Sequence, residues 1–263
     1  MLTMRRLHLF TVIVWSLLTL RVGPLYAANA EREIIHSFWY SHDEHAIRRV
    51  DIYIPTGCRE DVDTPLTPLY LIHGINGYEG SWVELGNAID TLEKFIEEGL
   101  CKPMILILPD CNKWQIPHRP IAHGEFWKCV FFYPQLSHEH EIEYALSDLM
   151  DMIDTTYCVT QECAVAGLSD GARISCNIAN LRPDRVKSVG LFSPVLHKAQ
   201  LPKDTTQNYA IYVGKNDLFY SYGHRFHKRM CKANITHEWV EMQGNHDWPV
   251  WQECLARFLL TVF

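Results

Sequence analysis

Ala164-Val165-Ala166-Gly167-Leu168-Ser169-Asp170-Gly171-Ala172 is an apolar run that ends in Gly-Leu-Ser-Asp-Gly and leads into a helix-compatible segment. This is the form of a nucleophile elbow, G-x-S-x-G, in which a strand turns sharply into a helix and lifts a serine Oγ above the sheet. Gly167 and Gly171 fit that geometry, because the chain closes so tightly around the serine that larger side chains would collide. The motif alone is weak. Its place between a strand and a helix, and the order of the residues after it, give it weight.

Outward from the elbow, strands and helices alternate. Upstream, Leu69 to Ile72 and Met104 to Leu108 read as short strands buried on both faces. Between them, Ser81 and Glu84 have the spacing of a capping box. Leu85, Ile89, Leu92 and Ile96 recur at helical spacing, and Gly99 closes the helix. A helix is expected over 139–155, a strand over 163–168 and a helix over 172–180. Strands follow at 186–192, 209–213 and 238–242, with helices at 219–231 and 250–263. Residues 33–40 and 45–54 form an antiparallel opening hairpin. The pattern predicts an α/β fold: a mostly parallel central sheet with helices on both faces and right-handed crossovers.

The chain has 263 residues, enough for one large α/β domain, and 48% apolar residues argue against disorder. A net charge of −7 without a basic run beyond the N-terminus argues against a nucleic-acid partner. Residues 1–30 have the layout of a secretory signal peptide: Arg5 and Arg6, an apolar stretch from Leu7 to Leu20, then small residues with cleavage sites after Ala27 or Ala30. The apolar run is short for a membrane span. Cleavage removes three arginines and no acid, taking the net charge to −10. The expectation is a secreted or periplasmic single domain over 31–263, without stable membrane insertion. All nine cysteines lie in that part; the odd count leaves at least one unpaired within the chain, and Cys163 and Cys176 read as buried thiols. Asn234-Ile235-Thr236 is a glycosylation acceptor in a eukaryotic host.

Sites in open α/β sheets gather at the carboxyl ends of the strands. Four such ends carry notable residues: Ser169; His73-Gly74-Ile75; Gly214-Lys215-Asn216-Asp217; and Gly244-Asn245-His246-Asp247-Trp248. A serine hydroxyl needs a base to take its proton, and His246 suits that role. The imidazole needs a fixed tautomer and a counter-charge, which Asp217 supplies. Asp204 and Asp247 are rival acids. Asp217 is preferred because it directly follows a strand, although it also suits a helix cap. The backbone N–H groups of Ile75 and Asp170 are the expected oxyanion donors. Residues 110–137 are long, irregular and aromatic, as expected of a pocket wall. Trp82, Trp114, Trp127 and Trp248 are the candidate substrate contacts. No H-E-x-x-H occurs, the histidine pairs are local, and His224 and His227 read as a helix surface, so neither a catalytic metal nor a cofactor is expected.

At these residues the chain resembles the esterase D and feruloyl esterase-like family of the α/β-hydrolase superfamily. That family includes feruloyl and acetyl xylan esterases, S-formylglutathione hydrolases, catecholate-siderophore esterases and mycolyltransferases. The resemblance runs from about residue 33 to the end, anchored by Leu71-Ile72-His73-Gly74, Gly77-Tyr78-Glu79-Gly80-Ser81-Trp82, Leu108-Pro109-Asp110 and Gly167-Leu168-Ser169. Its most specific anchor is Gly244-Asn245-His246-Asp247-Trp248-Pro249-Val250-Trp251, close to the family's G-x-H-D-W-x-x-W. The resemblance implies the α/β-hydrolase fold, Ser169 as nucleophile, Asp217 as acid, His246 as base, and an ester of a small molecule or glycan as substrate. A feruloyl- or acetyl-type acyl group on a carbohydrate is the expectation. Acyl transfer on the same triad and a non-catalytic binding protein are the alternatives. Asp170 and Ala172 depart from the family's G-x-S-M-G-G, and a carboxylate at 170 would oppose a developing oxyanion unless turned away or neutralised.

Overall fold

The computed structural model describes residues 32–61, 63–112, 141–196 and 200–262. The signal-peptide expectation, Cys129, Trp114, Trp127 and most of the irregular segment 110–137 lie outside the described residues.

Eight strands form one sheet: β1 (Ile35–Ser41), β2 (Ala46–Tyr53), β3 (Thr67–Ile72), β4 (Met104–Pro109), β5 (Cys163–Leu168), β6 (Val186–Phe192), β7 (Asn208–Gly214) and β8 (Glu238–Met242). Their order is β1-β2-β4-β3-β5-β6-β7-β8. The β1–β2 and β2–β4 pairings are antiparallel, as the opening hairpin predicts, and all later pairings are parallel. This is the expected α/β-hydrolase architecture.

The inner strands are buried on both faces, and their side chains alternate between two cores. Cys163 and Val165 of β5 join the core shared with α3 (Glu141–Thr156), α4 (Asp170–Leu181) and α5 (Tyr220–Lys232). Ala164, Ala166 and Leu168 join the opposite core, shared with α2 (Ala88–Glu97) and α6 (Trp248–Leu259). Each fully buried Leu, Ile, Val or Phe contributes about 1.5–3 kcal/mol relative to exposure, so a one-residue slip of β5, which would exchange its two faces, is strongly disfavoured.

One helix differs from its sequence expectation. The predicted capping-box helix is two pieces, α1 (Ser81–Glu84) and α2, broken at Leu85–Asn87, where Asn87 adopts φ 53°. Ser81 does not cap α1. Gly80 holds that position, and Ser81 Oγ instead accepts a hydrogen bond from the Tyr78 N–H at 2.9 Å. Glu84 turns to the Tyr78 hydroxyl. Leu85, counted on the apolar face by spacing, is left exposed at the break.

Candidate active site

Parallel pairing of β3, β5, β6, β7 and β8 aligns their carboxyl ends along one edge of the sheet. Ser169 follows β5 directly, and α4 begins at the next residue, two earlier than expected. Ser169 has φ 55° and ψ −115°, a sparsely populated conformation for a residue with a Cβ and the strained turn that an elbow requires. Its backbone is held on both sides. Its N–H donates to the Phe192 carbonyl at 2.9 Å, and its carbonyl accepts from the Val195 N–H at 3.2 Å. The two glycines are needed for close approach. A Cβ at Gly167 would strike the Gly171 backbone, and one at Gly171 would strike the carbonyls of Ile72 and His73.

His246 follows β8, and Asp217 lies three residues beyond β7. The structure brings the two together. His246 Nδ1 lies 2.9 Å from Asp217 Oδ2 and 3.1 Å from Oδ1, and both side chains are almost fully buried. A carboxylate accepts only, so Nδ1 carries the proton and Nε2 is the nitrogen left to accept one. Asp217 Oδ1 also accepts from the Phe219 N–H at 2.7 Å, which fixes the carboxylate just before α5. Asp217 does not cap the helix, whose N-cap is Phe219; its carboxylate forms a local turn with the Phe219 N–H and pairs with the imidazole. The ring of His246 stands edge-on to Phe219 at 4.9 Å and to Trp251 at 5.0 Å between centroids. Among the described residues no hydrogen bond joins Ser169 Oγ to His246. Such bonds are often long without substrate and tighten only in the complex. Asp204, the rival acid, bonds instead to the backbone and side chain of Thr206.

The loop after β3 backs onto Ser169. The Cβ direction of Gly74 points to within 3.3 Å of Ser169 Cβ, so Ile75 follows at the mouth of the elbow. A buried polar set holds this loop. His73 Nδ1–H donates to the Gly74 carbonyl at 2.7 Å, while Nε2 accepts from the Cys111 N–H at 2.9 Å. Arg49 of β2 pairs with Glu79 and with Asp110, each at 3.0 Å. Asn112 bridges Asp110 Oδ1, at 3.0 Å, to the Gly77 carbonyl. Burial pushes the Asp110 carboxyl upward, but the Asn112 N–H and the Arg49 guanidinium oppose it, and Asp110 is held below its usual range.

The carboxylate of Asp170 is neutralised. Arg173, one turn along α4, grips it from Nε at 2.8 Å and from Nη2 at 3.2 Å, and Arg173 Nη1 reaches Glu143 at 3.3 Å. The condition set by the sequence departure at 170 is met by an i, i+3 pair. Sequence reading missed Arg173, although its spacing from Asp170 was a usable signal. It also gave no role to Phe219 or Trp251, the two rings that flank the base.

Trp82 must be corrected as a substrate contact. It is only 1% exposed, packs edge-on to Phe192 and belongs to the core beneath the site. An amphipathic residue in a short helix between the sheet and α6 is drawn inward by its large apolar area. Trp248 is partly buried and edge-on to both Trp82 and Trp251, at 5.5 and 5.2 Å. Cys163 and Cys176 are fully buried, and burial pushes both thiols up to about 12, which leaves them protonated and inert.

The family model described as "Putative esterase" matches residues 45–216. An endo-1,4-beta-xylanase/feruloyl esterase of Xylanibacter ruminicola is 25% identical over 236 residues and covers 86% of this chain; the chain spans only 31% of that relative's length. A CE1 ferulic acid esterase of Anaeromyces mucronatus, solved in complex with ferulic acid, matches with a TM-score of 0.71 at 23% identity, covering 88% of this chain and 90% of that one. FphF, a fluorophosphonate-binding serine hydrolase of Staphylococcus aureus, matches with a TM-score of 0.65 at 14% identity, covering 86% of this chain and 96% of that one. At these identities the structural likenesses bear on the fold, and the match over 45–216 bears on the family. The chain belongs to this esterase family and has the α/β-hydrolase fold.

Proposed function

We propose that the chain is an exported esterase that cleaves feruloyl-type esters of carbohydrates through a Ser169–His246–Asp217 triad and an acyl-enzyme. The observation that carries this reading is the buried Asp217–His246 pair at strand ends on the same edge of the parallel sheet as the strained Ser169 turn. In the proposed cycle, Ser169 Oγ attacks the ester carbonyl carbon while His246 Nε2 takes its proton. The carbonyl oxygen gains the negative charge and is received by the backbone N–H groups of Asp170 and Ile75. His246 then returns the proton to the departing alcohol, leaving the acyl group on Ser169. Water attacks that ester, again giving its proton to His246, and the carboxylic acid leaves as Ser169 Oγ is reprotonated. Asp217 holds the imidazole in the tautomer this cycle needs and stabilises the imidazolium in both halves.

The feruloyl preference rests on the names of two relatives: the feruloyl esterase of Xylanibacter ruminicola and the ferulic acid esterase of Anaeromyces mucronatus. Trp248 is the described tryptophan still available for an acyl contact. Export rests on the layout of residues 1–30. N-terminal sequencing of the exported protein is expected to begin at Ala28 or Glu31; retention of Met1 contradicts export with cleavage.

Chromatographic detection of ferulate released from feruloylated arabinose oligosaccharides tests the substrate, with p-nitrophenyl acetate as the reference ester. Release of ferulate supports the reading. Turnover of the acetate alone removes the feruloyl assignment and leaves the esterase. Appearance of a new sugar ester when an acceptor sugar is added replaces hydrolysis by acyl transfer.

A further inference from the structure

Far from the strand ends just described, three side chains converge where α5 gives way to β8. His227 and Cys231 lie one turn apart on α5, and His237 is the residue before β8. One ligand atom from each falls within 4.8 Å of the others. His227 Nδ1 is 2.8 Å from His237 Nε2, and Cys231 Sγ is 3.8 Å from both ring nitrogens of His227. A tetrahedral zinc-like ion, with bonds of about 2.0–2.1 Å to nitrogen and about 2.3 Å to sulfur, places its nitrogens about 3.3 Å apart and its sulfur about 3.6 Å from each nitrogen. The His227–His237 spacing of 2.8 Å and the Cys231–His227 spacing of 3.8 Å lie on either side of those values and are reached by shifts of about half an ångström, while Cys231 Sγ lies within 4.8 Å of the His237 ligand atom.

The set is also oriented. His237 Nδ1–H donates to the Ile235 carbonyl at 2.8 Å, which leaves Nε2 unprotonated and aimed at His227. The His227 ring stacks on Trp239 at 4.7 Å with 19° between planes, so its direction is fixed by packing. A hydrogen bond between the two imidazoles satisfies that pair without a metal. It does not account for a thiol placed one helical turn away on the same face, 3.8 Å from the His227 ring nitrogens and within 4.8 Å of the His237 ligand atom.

We propose that His227 Nδ1, Cys231 Sγ and His237 Nε2 form a binding site for one zinc-class divalent cation, with a water as the fourth ligand. The two imidazoles and one thiolate suit a borderline-soft ion rather than calcium or magnesium, which take oxygen ligands. Entry of the ion replaces the hydrogen bond between the imidazoles. The proton on His227 Nδ1 relocates to its Nε2, and the Cys231 thiol loses its proton to solvent as the metal–sulfur bond forms, so one proton is released per ion. The ion clips the last turns of α5 to the start of β8, the edge strand whose other end leads to His246. Its role is structural, because the ligands lie at the amino end of β8 and the candidate triad at the carboxyl ends. The site was hidden from sequence reading because His237 is contributed from outside the helix that carries the other two.

The test uses the full mature chain without a polyhistidine tag, reduced, stripped with chelator and titrated with Co2+. One equivalent is expected to bind with a sulfur-to-cobalt charge-transfer absorption, and Zn2+ is expected to displace it. Cys231→Ser should abolish that absorption, His237→Gln should weaken binding at least tenfold, and Cys158→Ser, at the other exposed thiol among the described residues, should leave the absorption in place. Zn2+ should raise the Tm of the wild type and leave that of a Cys231→Ser/His237→Gln variant unmoved. Absence of the charge-transfer absorption in the reduced wild type, or its persistence in Cys231→Ser, overturns the proposal.

Discussion

At the residue scale, Asp170 is, with Ala172, one of the two elbow positions where this chain leaves its family's pattern. Its side chain is drawn along α4 by a two-point grip from Arg173, so the backbone N–H proposed as an oxyanion donor is spared an adjacent unpaired charge. The arrangement predicts an asymmetry. Arg173→Ala should lower kcat for p-nitrophenyl acetate by about tenfold, corresponding to about 1.4 kcal/mol in the barrier. Asp170→Asn alone should change it little, and the double variant should recover most of the loss. A double variant as slow as Arg173→Ala shows instead that Arg173 acts through its pairing with the buried Glu143, and not through the charge at 170. The Asp217–His246 pairing and the turn at Ser169 were legible from residue type and order. Arg173, Phe219 and Trp251 were not singled out, because what each does depends on a neighbour that only the folded chain supplies.

At the element scale, the elbow is where local conformation and packing meet. The turn holds Ser169 at φ 55°, while α4 starts so close to β3 that Gly171 has no room for a methyl group against the Ile72 and His73 carbonyls. Backbone atoms cannot step aside as a flexible side chain can. Gly171→Ala should therefore destabilise the fold by about 1–3 kcal/mol, the usual cost of overpacking, read as a lower midpoint in urea denaturation. An unchanged midpoint would mean the elbow is looser than described. The strands were the most legible elements, since continuous runs such as Met104–Leu108 have few alternatives to burial on both faces. The break between α1 and α2 was not legible, because Leu85 continues the helical period of Ile89, Leu92 and Ile96 even though the backbone turns at Asn87. Periodicity records where apolar side chains recur, and a single left-handed residue resets the axis without disturbing the count.

At the scale of the whole molecule, the sheet order and the buried charges belong to one construction. β2 crosses antiparallel to β4, which sets Arg49 beside Asp110 and, across the loop after β3, beside Glu79. The loop after β3 and the end of β4 are thereby tied to β2 at the edge of the parallel sheet. The depressed Asp110 carboxyl makes part of this stability dependent on pH. The folded state favours the carboxylate, so the contribution is complete above the ordinary aspartate value of about 4 and is lost as pH falls through the lower folded value. Asp110→Asn should lower Tm at pH 7 and should lose less of its Tm than the wild type between pH 5 and the acid limit of folding; parallel curves for the two proteins contradict this role. The alternation of elements announced the fold class, and the strand-end rule announced where the site lies. The network around Asp110 was not legible, since its members come from β2, the loop after β3 and the end of β4, far apart in sequence.

The most direct test of the central claim is the release of p-nitrophenol from p-nitrophenyl acetate by the mature chain and by Ser169→Ala, with both shown to be folded by circular dichroism. Wild-type turnover with a fall of roughly four orders of magnitude or more in the variant, the scale seen when a triad nucleophile is removed, is the predicted result. Equal rates in the two proteins would contradict Ser169 as the nucleophile, and the mechanism drawn through His246 and Asp217 would fall with it.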